Sequence, residues 1–290
     1  MTPCHLVQIT TPKKCLLNGL WFGNKRPKRV VVWVHGLGGS LFSRQSIIEL
    51  LTDNETAVLT FNNRGHDNIA SLSRVGKRKV GRILRAGAAH EVFTDCVDDI
   101  QGAINFAKKT GVKNIYLAGH STGCQKSVYW ASENKGGKGV KGIILLGAVS
   151  DYSAEMKLQG KRRMERATSA ARSLVRRGKK HSLLPENMWH ETLDAQRFLS
   201  LYTPDSREEI FTYSQPKKTP RALRSVKVPI LVLWAQKEEF ADRPAKAILA
   251  WFGRHLKPED RTVLILRTGH LFKGGEKAVV KEIRKFMRSA

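Results

Sequence analysis

One stretch constrains the fold more than any other: Ile115-Tyr116-Leu117-Ala118-Gly119-His120-Ser121-Thr122-Gly123-Cys124-Gln125. An apolar segment of strand length runs into Gly119-His120-Ser121-Thr122-Gly123, and a helix-compatible segment through Trp130 leaves it. A sharp strand-to-helix turn holds a serine in strained backbone geometry with its hydroxyl projecting outward. It requires glycine two residues to either side, where any side chain would collide. Gly119 and Gly123 meet that requirement, so Ser121 is the candidate nucleophile.

The flanking sequence alternates strand and helix patterns. A leading pair of strands is predicted over Leu6 to Thr10 and Cys15 to Phe22, and the β-branched run Val30 to Val34 reads as a strand covered on both faces. Further strands are predicted over Ala57 to Phe61, into Ser121, over Gly142 to Val149, Pro229 to Trp234 and Thr262 to Leu266. Helical spacing falls between them at Arg44 to Leu51, from His90 through Ala107, at Arg243 to Leu256, and at Val279, Val280, Ile283, Phe286 and Met287. The expected class is α/β, a mostly parallel sheet flanked by helices. Alternation stops after the sixth strand. Residues 152–226 are basic and helix-biased, broken by Pro185, Pro204, Pro216 and Pro220. They are expected to form a helical cap, or lid, inserted into a core of 1–151 and 227–290.

A serine hydroxyl is a poor nucleophile at neutral pH and requires a base in hydrogen-bond reach, itself oriented by a third group. In serine hydrolases of α/β type, which this turn resembles, these groups come in the chain order serine, acid, histidine. Ser121, Glu238 and His270 obey that order, each just past a predicted strand end. Glu239 and Asp151 are the alternative acids. Backbone N–H groups of Leu37, in the glycine-rich loop His35 to Ser40, and of Thr122 are the expected donors to an oxyanion. That loop lacks the Gly-Lys-Ser/Thr ending of a phosphate-binding loop and the spacing of a dinucleotide site. Histidines stand singly and the four cysteines lack metal spacing, so no metal or cofactor is expected; Cys4, Cys15, Cys96 and Cys124 read as small buried apolar residues. His120 is expected to pack beside the turn, Arg64 to pair with Asp67, and Asp95, Asp98 and Asp99 to face mainly solvent or cap basic neighbours. The chemistry this arrangement predicts is cleavage of a small-molecule carboxylic ester through an acyl-enzyme intermediate.

From Val30 onward the chain resembles the α/β-hydrolase superfamily. Phe61 to Asp67, Glu91 to Cys96, Gly119 to Gln125 and Val149-Ser150-Asp151 together resemble a subgroup that includes fungal siderophore ester hydrolases. The resemblance implies an α/β-hydrolase fold and a serine esterase. Two departures stand out. The usual Gly-x-x-Asp acid loop is here Ala235 to Glu238, with an acid one methylene longer, and the basic insertion is foreign to the subgroup.

A formal charge of +26 accompanies this pattern. Arg74, Lys77, Arg78, Lys79, Arg82 and Arg85 form one acid-free run, and Lys161 to Lys180 a second opposed only by Glu165. Without interleaved aromatics these read first as solvated surface, with weak polyanion binding as the alternative role. An inactive scaffold gripping a polyanion, or an acyltransferase using the same three residues, are the competing functions. The longest apolar runs are of strand length, and residues 1–20 lack the apolar core of a secretory signal, so a cytoplasmic protein is expected.

Overall fold

The computed structural model describes residues 2–76 and 83–289. In chain order they form β1 (Cys4–Thr10), β2 (Leu16–Phe22), β3 (Arg29–Val34), α1 (Gln45–Leu51), β4 (Thr56–Phe61), β5 (Ala70–Ser73) and β6 (Ile83–Ala86). A 3-10 turn at Phe93–Asp95 leads into α2 (Cys96–Lys109), followed by β7 (Asn114–His120), α3 (Thr122–Glu133) and β8 (Gly142–Leu146). Next come α4 (Asp151–Gln159), α5 (Lys161–Arg176), α6 (Ala195–Tyr202) and α7 (Arg221–Ser225). The chain closes through β9 (Ile230–Ala235), α8 (Ala245–His255), β10 (Arg261–Ile265) and α9 (Glu276–Ser289).

The main sheet has the order β1-β2-β4-β3-β7-β8-β9-β10, antiparallel where β2 meets β1 and β4 and parallel from β4 to β10. Strand β3 shows why the sequence forces this layout. Val30, Val32 and Val34 enter one apolar core with Ile100, Cys124 and Val128, while Val31 and Trp33 enter the opposite core with Ile47, Val279 and Phe286. Successive side chains of a strand point to opposite faces, so an unbroken β-branched run is stable only where helices cover both.

Several expectations are corrected. The strand through Val149 stops at Leu146, because Gly147 takes φ +62° and turns the chain out of the sheet. The hairpin of β5 and β6 escaped the sequence because its strands are short and mostly polar or exposed, with Leu72 and Ala86 as their buried positions. Lys77, Arg78, Lys79 and Arg82 of the first basic run lie outside the described residues. Arg64 pairs not with Asp67 but with Asp95, Asp98 and Asp99, and Asp98 and Asp99 are buried rather than solvent-facing. Spacing placed those aspartates on the polar side of α2 but could not reveal that an arginine from the loop after β4 covers it. Cys15, Cys96 and Cys124 are buried as expected, whereas Cys4 is exposed on the edge strand.

Between β8 and β9, helices α4 to α7 interrupt the alternation. Met164, Ala167 and Ala171 on α5 form an apolar stripe that packs on Trp189, Phe198 and Tyr202, and the arginines at 162, 166 and 177 face solvent. This segment joins the sheet-bearing part of the chain through sealed charges. Lys126 Nζ of α3 lies 2.6 Å from Glu91 Oε1, Arg197 of α6 lies 2.9 Å from Glu91 Oε2 and 2.5 Å from Glu208 Oε2, and every one of these side chains is at most 1% exposed. Among the described residues no helix is long and apolar enough to cross a membrane.

Candidate active site

Strand β7 delivers Ser121 to the carboxyl edge of the sheet. Its backbone sits at φ 55° and ψ −129°, a conformation that L-residues rarely adopt and that local packing must enforce. The flanking glycines are required by contact. A Cβ on Gly119 would fall 2.3 Å from the Gly123 carbonyl oxygen, and one on Gly123 would fall 2.3 Å from that of Val34. The Ser121 N–H donates to Leu146 O at 2.9 Å, which ties the turn to β8. The loop after β3 comes equally close, since a Cβ on Gly36 would lie 2.8 Å from Ser121 Cβ.

His270 follows β10 and reaches this edge with its ring fixed on several sides. Its Nδ1 lies 2.8 Å from Glu238, whose side chain is 1% exposed. The adjacent Glu239 does something different: Oε2 accepts the backbone N–H of His270 at 2.7 Å, holding the loop rather than the ring. Asp151 accepts from Gln125 Nε2 at 2.6 Å and makes no contact with the His270 ring among the described hydrogen bonds. Of the three carboxylates weighed from sequence, the fold brings Glu238 to the imidazole. Phe240 packs edge-on at 4.8 Å between ring centroids, and His120 lies at 5.0 Å.

His120 packs beside the turn, as its position suggested. It is buried and its Nε2–H donates to His270 O at 3.0 Å. Burial, with His270 beside it, pushes its pKa down to about 3, so the ring is neutral at ordinary pH. His35 at the head of the neighbouring loop is likewise pushed down to about 3 by burial, with Lys126 adding to the effect.

Ser121 and His270 line one cavity of about 320 Å³ together with Leu37, Asp151, Glu155 and Tyr202. No hydrogen bond joins Ser121 Oγ to the His270 ring among the described residues; in a ligand-free site such contacts are often slack and tighten around substrate. The backbone N–H groups of Leu37 and Thr122 have no acceptor among the described residues. Gly147 is the site residue that sequence reading passed over. A Cβ there would stand 3.0 Å from His270 Cε1 and Nδ1, so only glycine lets the imidazole approach at this φ. The available signal was a glycine ending a buried strand. Among the described residues no cluster of three or more His, Cys, Asp or Glu side chains is placed to hold a metal.

Solved structures share this arrangement of strands and helices. An esterase from Pyrococcus furiosus, Pf2001, matches with a TM-score of 0.60 at 15% identity, covering 99% of this chain and 91% of its own. A soluble variant of monoglyceride lipase from Saccharomyces cerevisiae matches at 0.66 and 13%, covering 99% and 95%. An α/β hydrolase, GrgF, from a Penicillium species matches at 0.62 and 14%, covering 99% and 98%. At these identities the likeness establishes the fold, which is that of the α/β-hydrolases. None of the curated proteins matches the chain by sequence. Residues 91–285 match the model of a family described as "Protein of unknown function (DUF1749)", and the chain belongs to that family.

Proposed function

We propose that the protein is a serine hydrolase that cleaves small-molecule carboxylic esters through an acyl-enzyme intermediate, with Ser121 as nucleophile, His270 as base and Glu238 as its orienting acid. The observation carrying this reading is the 2.8 Å contact of Glu238 with His270 Nδ1, on the same cavity as a serine in strained backbone. That contact fixes the tautomer in which Nδ1 carries the proton and Nε2 is free to accept one from Ser121. Glu238 also stabilises the imidazolium that forms as the hydroxyl attacks, and His270 then returns the proton to the departing alkoxide. The Leu37 and Thr122 N–H groups receive the oxyanion, each loss worth on the order of 100-fold in rate. Hydrolysis of the acyl-enzyme by water repeats the cycle with the same base.

Esterases and a lipase among the proteins sharing the fold favour ester chemistry. The segment 152–226 acts as the cap: Leu37, beside Ser121, packs against the apolar cluster of α5 and α6, so movement of that segment opens or closes the cavity. Siderophore esters are a poor fit for this chain, because the insertion that roofs the cavity is not that subgroup's.

Labelling by a fluorophosphonate probe and turnover of a short aryl ester test the assignment. Ser121→Ala should lose both. Ester hydrolysis that persists in that variant would refute it, and absence of labelling in the unaltered protein would return the fold to the role of a binding scaffold.

A further inference from the structure

The cavity at Ser121 has a sign opposite to that of the molecule. In a chain of formal charge +26, it is lined by Asp151, Glu155 and Glu191, with Arg44 also on its lining. A second cavity of about 450 Å³, sharing Tyr202, is lined by Lys161, Arg172 and Arg176 with Glu165 the opposing acid. Acids outnumber bases on the side of Tyr202 toward Ser121, and bases outnumber acids on the other.

The three carboxylates differ in what they already hold. Asp151 accepts from Gln125, and Glu191 accepts from the Tyr202 hydroxyl. Glu155 stands four residues after Asp151 on the same face of α4, a spacing at which like charges repel. Its side chain is 9% exposed and its Oε2 has no hydrogen-bond partner among the described residues. His190 Nδ1 stands 3.9 Å from that oxygen, beyond hydrogen-bond reach; Gln159 and Arg163, themselves hydrogen-bonded to each other, lie close enough to favour the ionised carboxyl but leave Oε2 without a donor. A buried carboxylate oxygen without a donor is costly unless something supplies one.

We propose that Asp151, Glu155 and Glu191 form a subsite for a protonated amine, so that the substrate is an ester bearing an ammonium group. A neutral polyol could donate hydrogen bonds but would leave the repulsion among the carboxylates in place. An ammonium supplies three donors and converts repulsion into attraction. Burial, then nearby Glu208 and Glu209, holds the Asp151 carboxyl well above its usual range, and burial raises Glu155 as well; an ammonium among them would favour the charged form of both. The ester part of the inference rests on the function proposed above; the ammonium subsite does not.

Binding and turnover separate the two. Calorimetric titration with hexylammonium and with hexanol should show tighter binding of the amine. Glu155→Gln should weaken it by about tenfold, the scale of one charge-assisted contact. Glu191→Gln, at a half-buried position on the insertion, should act in the same direction and serves where Glu155→Gln fails to fold. Turnover of p-nitrophenyl 6-aminohexanoate relative to the heptanoate, an equal-length neutral ester, should fall by a similar factor in these variants. Equal binding of amine and alcohol, or amine binding indifferent to both substitutions, would overturn the subsite. Turnover of neither ester alongside carboxylate-dependent amine binding would instead sink the ester reading and leave the subsite standing.

Discussion

Two buried polar centres lie along α3, and they solve the cost of burying polar groups in opposite ways. At the helix start, Ser121 is strained, the N–H groups of Leu37 and Thr122 have no acceptor among the described residues, and Ser121 and Leu37 line a cavity. Within the same helix, Lys126 enters a sealed cluster with Glu91, Arg197 and Glu208, two charges of each sign and none open to water. The first centre keeps unmet hydrogen-bonding capacity at a place a substrate can reach. The second pairs its charges and joins the inserted helices to the sheet. Access and unmet capacity, rather than burial and ionisable chemistry alone, are the grounds on which the Ser121 centre is proposed as the functional one.

The largest effect should fall on the open centre. Ser121→Ala should lower kcat by up to about a millionfold, the loss seen where three residues act as one unit, with little change in thermal unfolding. Glu238→Gln should cost about 10⁴-fold in kcat, because an amide no longer enforces the imidazole tautomer, again with the fold retained. Steady-state kinetics on an aryl ester checks both, and a variant of either kind that melts early instead would erase the contrast between the centres.

The sealed centre should answer in stability. Arg197→Met leaves Glu91 and Glu208 short of a partner, and urea unfolding should register a loss of about 3–5 kcal/mol. A smaller effect is expected from acid. His35 and His120 are held down to about 3, below the ordinary 6.5, so the unfolded chain takes up protons that the folded one refuses. Their stabilisation is complete above pH 6.5 and is lost as pH falls toward 3, with a slope approaching about 1.4 kcal/mol per pH unit for each. Glu209, raised by burial to about 7, opposes them between 4.5 and 7, where the folded state holds the extra proton. His120→Gln should flatten the acid limb of an unfolding-versus-pH series by one histidine's share. Smallest of all, Ser121→Gly should be about 1 kcal/mol more stable than Ser121→Ala, since glycine adopts φ 55° without strain.

Much of this was legible before any coordinates. The β-branched run at Val30 to Val34 and the glycines around Ser121 report needs satisfied within a few residues, so period and spacing suffice to read them. The order of Ser121, Glu238 and His270 was visible because each follows a strand, and parallel strands end on one rim. Partners across the fold were not visible. Arg64 was matched to its neighbour Asp67, yet it covers aspartates more than thirty positions away on α2. Among three plausible acids, only folding decided that Glu238 meets the ring, Glu239 the backbone and Asp151 a glutamine.

Sequence alone determined the class of sheet, the strained serine and the set of groups near it, because backbone sterics and two-sided burial act over short stretches. Tertiary structure decided which charge meets which, and which is left facing the cavity. Electrostatic pairing depends on distance and access to water, and neither is written along the chain.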